Sequence, residues 1–150
     1  MRILIQRVNG ASVEIENRIK SNIHKGLLVL VGIENNDDVS DIIYLTNKVV
    51  NLRLFDDETG KMNDSVKDIN GEILVISQFT LYANTKKGHR PSYLDAAKPE
   101  LAIPMYNLFI HKLSEALGKQ IETGIFGADM KVALVNDGPV TIWLDSKVKN

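Results

Sequence analysis

Cysteine is absent from the 150 residues. That excludes disulfides, thiolate metal sites and a cysteine nucleophile. Long apolar runs are absent too. No stretch approaches the ~18–20 residues of a membrane-spanning helix, and the apolar run at Met1–Arg7 is too short for a secretory signal. No membrane association is expected, and a cytoplasmic location is. The sequon Asn63-Asp64-Ser65 then reads as chance. There is no excess of positive charge: 18 Lys and Arg face 19 Asp and Glu, for a net charge of −1. A polyanionic partner would have to be held by a local basic patch, or weakly and transiently.

Familiar catalytic signatures are also missing. A Walker loop would need glycine where Phe55 precedes Gly60-Lys61. Neither G-x-G-x-x-G nor the G-x-S-x-G elbow occurs. His24, His89 and His111 lack the spacing of a zinc site. No metal or cofactor is expected. A Ser-His-Asp triad assembled in space is neither favoured nor excluded.

What is present suffices for one compact domain spanning 1–150, with 44% hydrophobic residues to build a core. Apolar residues alternate at Ile3 and Ile5 and again at Val13 and Ile15, and Asn9-Gly10 between them has the composition of a hairpin turn. Leu27–Ile33 is a continuous apolar run of strand length, as expected of a strand covered on both faces. Asp37 and Asp38 offer caps for a helix whose apolar face is Val39, Ile42, Ile43, Thr46, Val49 and Val50. Asp56–Gly60 is a polar turn, and a strand from Ile73 runs on to Leu81. Ala83–Pro99 reads as a long loop.

A second helix covers Pro99–Leu117, with Ala102, Met105, Phe109, Leu113 and Ala116 inward. Gly118 stops it, and Pro104 should kink it or mark its true start. Strands follow at Gln120–Phe126, Met130–Val135 and Val140–Leu144, and Ser146–Asn150 is expected to fray. The order β-β-β-α-β-α-β-β-β indicates an α+β fold, a mainly antiparallel, barrel-like sheet with two helices packed outside.

Two segments carry the chemistry. In Val75–Ala83 an apolar strand ends in Ser77-Gln78-Phe79-Thr80. Taken alone it is an edge strand with polar alternation, or a strand end whose hydroxyls and N–H groups line an oxyanion hole. In Val135–Leu144 two apolar stretches flank Asn136-Asp137-Gly138-Pro139. Taken alone it is a β-turn.

Together and in this order they closely resemble the two signature motifs of the D-aminoacyl-tRNA deacylases. The similarity extends from Leu4–Val8 through Gly26–Leu30, Gly60–Asn63, Arg90–Ser92 and Thr123–Met130, essentially the whole chain. Pro104, and His89 in its Gly-x-Arg-Pro stretch, depart from the family's pattern. The resemblance implies a homodimeric hydrolase of the ester in D-aminoacyl-tRNA. It implies that a cis Gly138-Pro139 peptide enters the partner's active site and rejects L-amino acids by steric clash. Glycine has no side chain to clash, so glycyl-tRNA, including glycine mischarged on tRNA(Ala), should also be cleaved.

Ser77, Gln78, Phe79 and Thr80 are the expected catalytic residues, with N–H groups around Gln78 and Phe79 stabilising the oxyanion. Thr80 is either a nucleophile or, since no base is paired with it, a positional residue beside a water assisted by the tRNA 2′-OH. Arg7 braces the Gly-Pro segment or is a sheet-edge arginine. Phe126 and Met130 line the pocket or are core. Lys86, Lys87, His89 and Arg90 form a basic loop suited to tRNA phosphates, or a solvated one. Rival readings are a non-catalytic dimeric nucleic-acid-binding protein on the same scaffold and a general small-molecule esterase.

Overall fold

The computed structural model describes residues 1–149. Its centre is one mixed sheet. Strands β1 (Arg2–Ile15), β2 (Arg18–Ile23), β3 (Gly26–Gly32), β6 (Glu72–Ser77), β7 (Glu122–Thr123) and β8 (Lys131–Asp145) take part. β1 pairs antiparallel with β2, β3 and β8, whereas β3–β6 and β6–β7 are parallel. The sheet is therefore antiparallel around β1 and parallel beyond β3. The parallel β3–β6 step needs a crossover, which α1 (Val39–Asn51) and the small hairpin β4 (Phe55–Asp56) and β5 (Met62–Asp64) supply. The sheet curls until its ends nearly meet: the Ser21 hydroxyl on β2 donates to the Thr123 carbonyl on β7 at 2.7 Å.

β3 explains the curl. Leu27, Val29 and Val31 face α1 and α2 (Pro99–Leu117), packing with Ile42, Leu45, Phe109 and Leu113. Leu28 faces the other way, into a second cluster with Val8, Val13, Leu74 and Ile76 inside the curl. The apolar run is thus buried on both faces, as its composition predicts.

Both helices form where expected. Asp38 caps α1, accepting from Ser40 N–H at 2.7 Å, while Asp41 returns the bond to Asp38 N–H at 2.8 Å. Its buried face includes Leu45, while Val39 and Ile43 lie exposed. α2 runs through Pro104 and ends at Gly118 in the left-handed region. Its buried face is Ala102, Tyr106, Phe109 and Leu113, with Met105 and Ala116 at the margin. None of the helices described is long and apolar enough to cross a membrane.

Several expected boundaries move. Asn9-Gly10 is not a turn. β1 continues through it, with a register irregularity that lets its first half pair β3 and its second half β2. The reversal lies at Glu16-Asn17, both at positive φ. β6 stops at Ser77, and Phe79–Tyr82 forms a short 3-10 helix. Of Gln120–Phe126 only Glu122 and Thr123 are strand. The two expected strands at Met130–Val135 and Val140–Leu144 are one strand, β8, which begins at Lys131. Ser146 does not fray: it is buried, and its N–H donates to the Met1 carbonyl at 2.9 Å. Lys147 binds Asp41 at 2.7 Å. Asn150 lies outside the described residues.

Burial works against the Asp41 charge, but Lys147, Ser146 and the Asp38 N–H outweigh it and hold the carboxyl at about 2. The folded carboxyl ionises below its ordinary value, so its stabilisation is complete above about pH 4 and is lost as pH falls through about 2. Asp41→Asn should cost about 1–2 kcal/mol at pH 7. Urea midpoints should show the gap from the parent closing between pH 4 and 2.

Candidate active site

The end of β6 opens onto a cavity of about 300 Å³. Ser77, Gln78 and Phe79 form one wall, Phe126 and Met130 another, and Ala102 at the start of α2 a third. Ser77, Gln78 and Phe79 of the first signature segment thus share one cavity with both expected lining residues. Ala97, Ala102 and the small residues Gly127 and Ala128 also line it. Small apolar residues carry no sequence signal for this role.

The wall is built from backbone as much as from side chains. Gln78 N–H donates to the Val31 carbonyl at 2.7 Å, so this amide is already spent. Among the described residues, the N–H groups of Phe79 and Thr80 have no partner. The available donors therefore sit one residue further along than an oxyanion site centred on Gln78 would need. Thr80 does not line the cavity; its hydroxyl accepts from the Gln78 side-chain amide. No carboxylate, imidazole or amine is bonded to it among the described residues. Phe79 is 56% exposed and meets Tyr93 edge-on at 5.0 Å. Behind the cavity, Tyr106 donates to the Val75 carbonyl at 3.1 Å, and burial pushes its phenol up to about 12. It stays neutral and acts as a strut.

The second segment does not line this cavity. Between Val8↔Asn136 and Gln6↔Thr141, β8 advances five residues while β1 advances two. The surplus forms a bulge holding Gly138 and Pro139, both exposed and joined by a cis peptide bond. The expected β-turn is absent because the chain leaves the bulge in its original direction, still paired with β1. Asn136 closes the bulge: its side-chain carbonyl accepts from Val140 N–H at 3.2 Å and its amide donates to the Thr141 hydroxyl at 3.0 Å.

Arg7 sits opposite this bulge and is only 7% exposed. It donates to the Asp137 carbonyl at 3.1 Å and the Leu54 carbonyl at 2.7 Å, and its guanidinium lies 3.4 Å from the Asp56 and Asp137 carboxylates. It is a buried brace and not a sheet-edge arginine. Leu54 and Asp56 as its partners had no signal in the sequence.

Lys86, Lys87, His89 and Arg90 are exposed on a loop closed by paired backbone bonds between Asn84 and Ser92, at 2.8 and 2.9 Å.

Gly138 has φ +122°, and an added Cβ would come within 3.0 Å of both Arg7 Nη2 and Val140 Cγ2. Gly138→Ala should therefore lower stability by about 1–2 kcal/mol, from the conformation and the crowding together. A thermal melt that matches the parent would show that the bulge relaxes freely.

The sequence and the fold both have counterparts among known proteins. A chain from Bacteroides thetaiotaomicron named D-aminoacyl-tRNA deacylase is 63% identical over 149 residues, covering 99% of both chains. A solved structure titled c-Myc DNA Unwinding Element Binding Protein superposes with a TM-score of 0.92 at 41% identity, covering 97% of this chain and 98% of that one. A second, titled as a probable eukaryotic D-amino acid tRNA deacylase, shares the fold at TM-score 0.82 and 14% identity, covering 95% and 97%. The sequence model of the D-Tyr-tRNA(Tyr) deacylases matches residues 4–145, and the chain belongs to that family.

Proposed function

We propose that this protein hydrolyses the ester joining a D-amino acid to the 3′ end of tRNA, in a site completed by a second copy of the chain. The family supports ester hydrolysis of D-aminoacyl-tRNA. The observation that carries the two-copy reading is the separation of the signature segments. Ser77–Phe79 line the cavity, whereas Gly138 and Pro139 stand exposed on a braced bulge that does not line it. A rigid exposed projection on one protomer and an open cavity on the other are the two halves of a shared site.

The free side of β8 supports pairing of copies. β8 bonds only to β1 among the described strands, and Val135 and Trp143 on it are 60% and 47% exposed. An unpaired edge carrying apolar side chains is a surface for association.

The chemistry follows from the groups present. The Phe79 N–H, which has no partner among the described residues and belongs to the cavity wall, stabilises the oxyanion that develops on the ester carbonyl. Ser77 and Gln78 shape the wall beside it. Phe126 and Met130 enclose the amino-acid portion. No general base is bonded to Thr80, so it is a positional residue, and water assisted by the ribose 2′-OH makes the attack.

The partner's Gly138 and Pro139 face the α-carbon and leave no room for an L side chain, so selection is by exclusion. Arg7 keeps that projection in place. Glycine, without a side chain, passes the same filter. Lys86, Lys87 and Arg90 contact acceptor-end phosphates, an interaction weakened by salt.

A second reading is a nucleic-acid-binding protein without catalysis, favoured only by the name that the 41% identical structure carries. One assay separates them. Purified protein should release D-tyrosine from tRNA at least about a hundredfold faster than L-tyrosine, a margin steric rejection of a side chain can supply. It should also cleave glycyl-tRNA. Equal rates for both enantiomers would defeat the proposal, and no release at all would favour the second reading. Thr80→Ala should keep kcat within about threefold of the parent, as expected of a group that takes no proton. A covalent aminoacyl adduct on Thr80 would reverse that assignment.

A further inference from the structure

The 3-10 helix Phe79–Tyr82 holds the free N–H groups, yet four residues of 3-10 helix have too few internal bonds to fix themselves. Something outside must set its height above the sheet. At its start the clasp is Gln78 N–H on the Val31 carbonyl. At its end the clasp is Arg2. Its Nη1 donates to the Leu81 carbonyl at 3.2 Å, its guanidinium lies over the Tyr82 ring at 4.3 Å, and its Nε donates to Asp145 at 2.9 Å. The Trp143 ring flanks it at 5.8 Å.

Three strand ends meet beneath this point, since Arg2 is in register with both Gly32 on β3 and Asp145 on β8. Gly32 lets the helix settle: a Cβ there would come within 3.0 Å of the Gln78 carbonyl and 3.2 Å of the Tyr82 ring. Tyr82 cannot anchor itself, because its hydroxyl is buried without a partner among the described residues.

We propose that Arg2 is a positioning residue for the reaction: by binding Asp145, the Leu81 carbonyl and the Tyr82 ring at once, it fixes the segment that presents the Phe79 N–H group. The inference rests on the proposed function for its catalytic consequence, though not for its structural one. A planar guanidinium can serve two acceptors in its plane and an aromatic ring on its face; an ammonium cannot do all three.

Arg2→Met keeps the apolar stem and removes the clasp, and Arg2→Lys restores only the charge. With D-aminoacyl-tRNA as substrate, Arg2→Met should lower kcat roughly tenfold, as expected for a small displacement of reacting groups. KM should stay within about twofold, and Arg2→Lys should recover part of the loss. Amide exchange at Gln78, Leu81 and Ala83 should quicken in Arg2→Met while Val29 and Val75 stay protected. Unchanged kcat with unchanged exchange at those three amides would overturn the inference. So would a loss of activity accompanied by faster exchange throughout the sheet. If the parent protein releases no D-amino acid, the proposed function fails. The exchange data then decide by themselves whether Arg2 holds the segment.

Discussion

β1 is one strand of 14 residues whose backbone serves three neighbours, and both parts of the candidate site take their positions from it. Its first half bonds β3 on one side and the end of β8 on the other; its second half exchanges β3 for β2. A strand so fully committed cannot slip register without turning its whole apolar set to the wrong face. Ile3 and Ile5 would leave the helix-side core, and Val8 and Val13 would leave the interior of the curl. Both signature segments inherit that fixity. Arg7 reaches from β1 to the Gly138-Pro139 bulge, and Arg2 reaches from its start to the 3-10 helix.

The bulge depends on the same ladder. Surplus residues in a paired strand are usually tolerated at edges, where the backbone they free can reach water. β8 is such an edge, and Gly138 and Pro139 lie on its exposed side. What distinguishes this bulge is its support from below. A buried arginine satisfied by the carbonyls of Leu54 and Asp137 and flanked by two carboxylates leaves few alternative geometries. A buried charge with its hydrogen bonds met is costly to disturb, because removing any partner strands the rest. The role proposed for this projection, discrimination by shape, needs that rigidity.

The cavity has little that titrates. Its wall is a strand end, a short helix and small apolar residues, and its candidate donors are main-chain N–H groups. Main-chain groups are placed by the fold and need no side-chain ordering when the substrate arrives. They suit a reaction whose substrates share an ester, an α-carbon and an α-amino group and differ in the side chain.

The α+β class, both helices and their caps, the doubly buried β3 and the two segments on which the family assignment rests are all legible in the residues alone. These are local signals: apolar periodicity, an Asp38 cap, a glycine after Leu117, and a motif order that survives without coordinates. Tertiary structure alone decided the rest. Asn9-Gly10 has the composition of a turn, but pairing along the whole of β1 outweighs two residues of propensity. Asn136–Pro139 also has the composition of a turn, and is a bulge because both of its flanks pair with β1. Ser146 reads as a loose end in sequence, and is buried because the chain's first residue lies against it. The roles of Arg2, Gly32 and Tyr106 had no signature at all. Each is set by what approaches it across the sheet, and a long-range approach leaves no trace in the residues on either side.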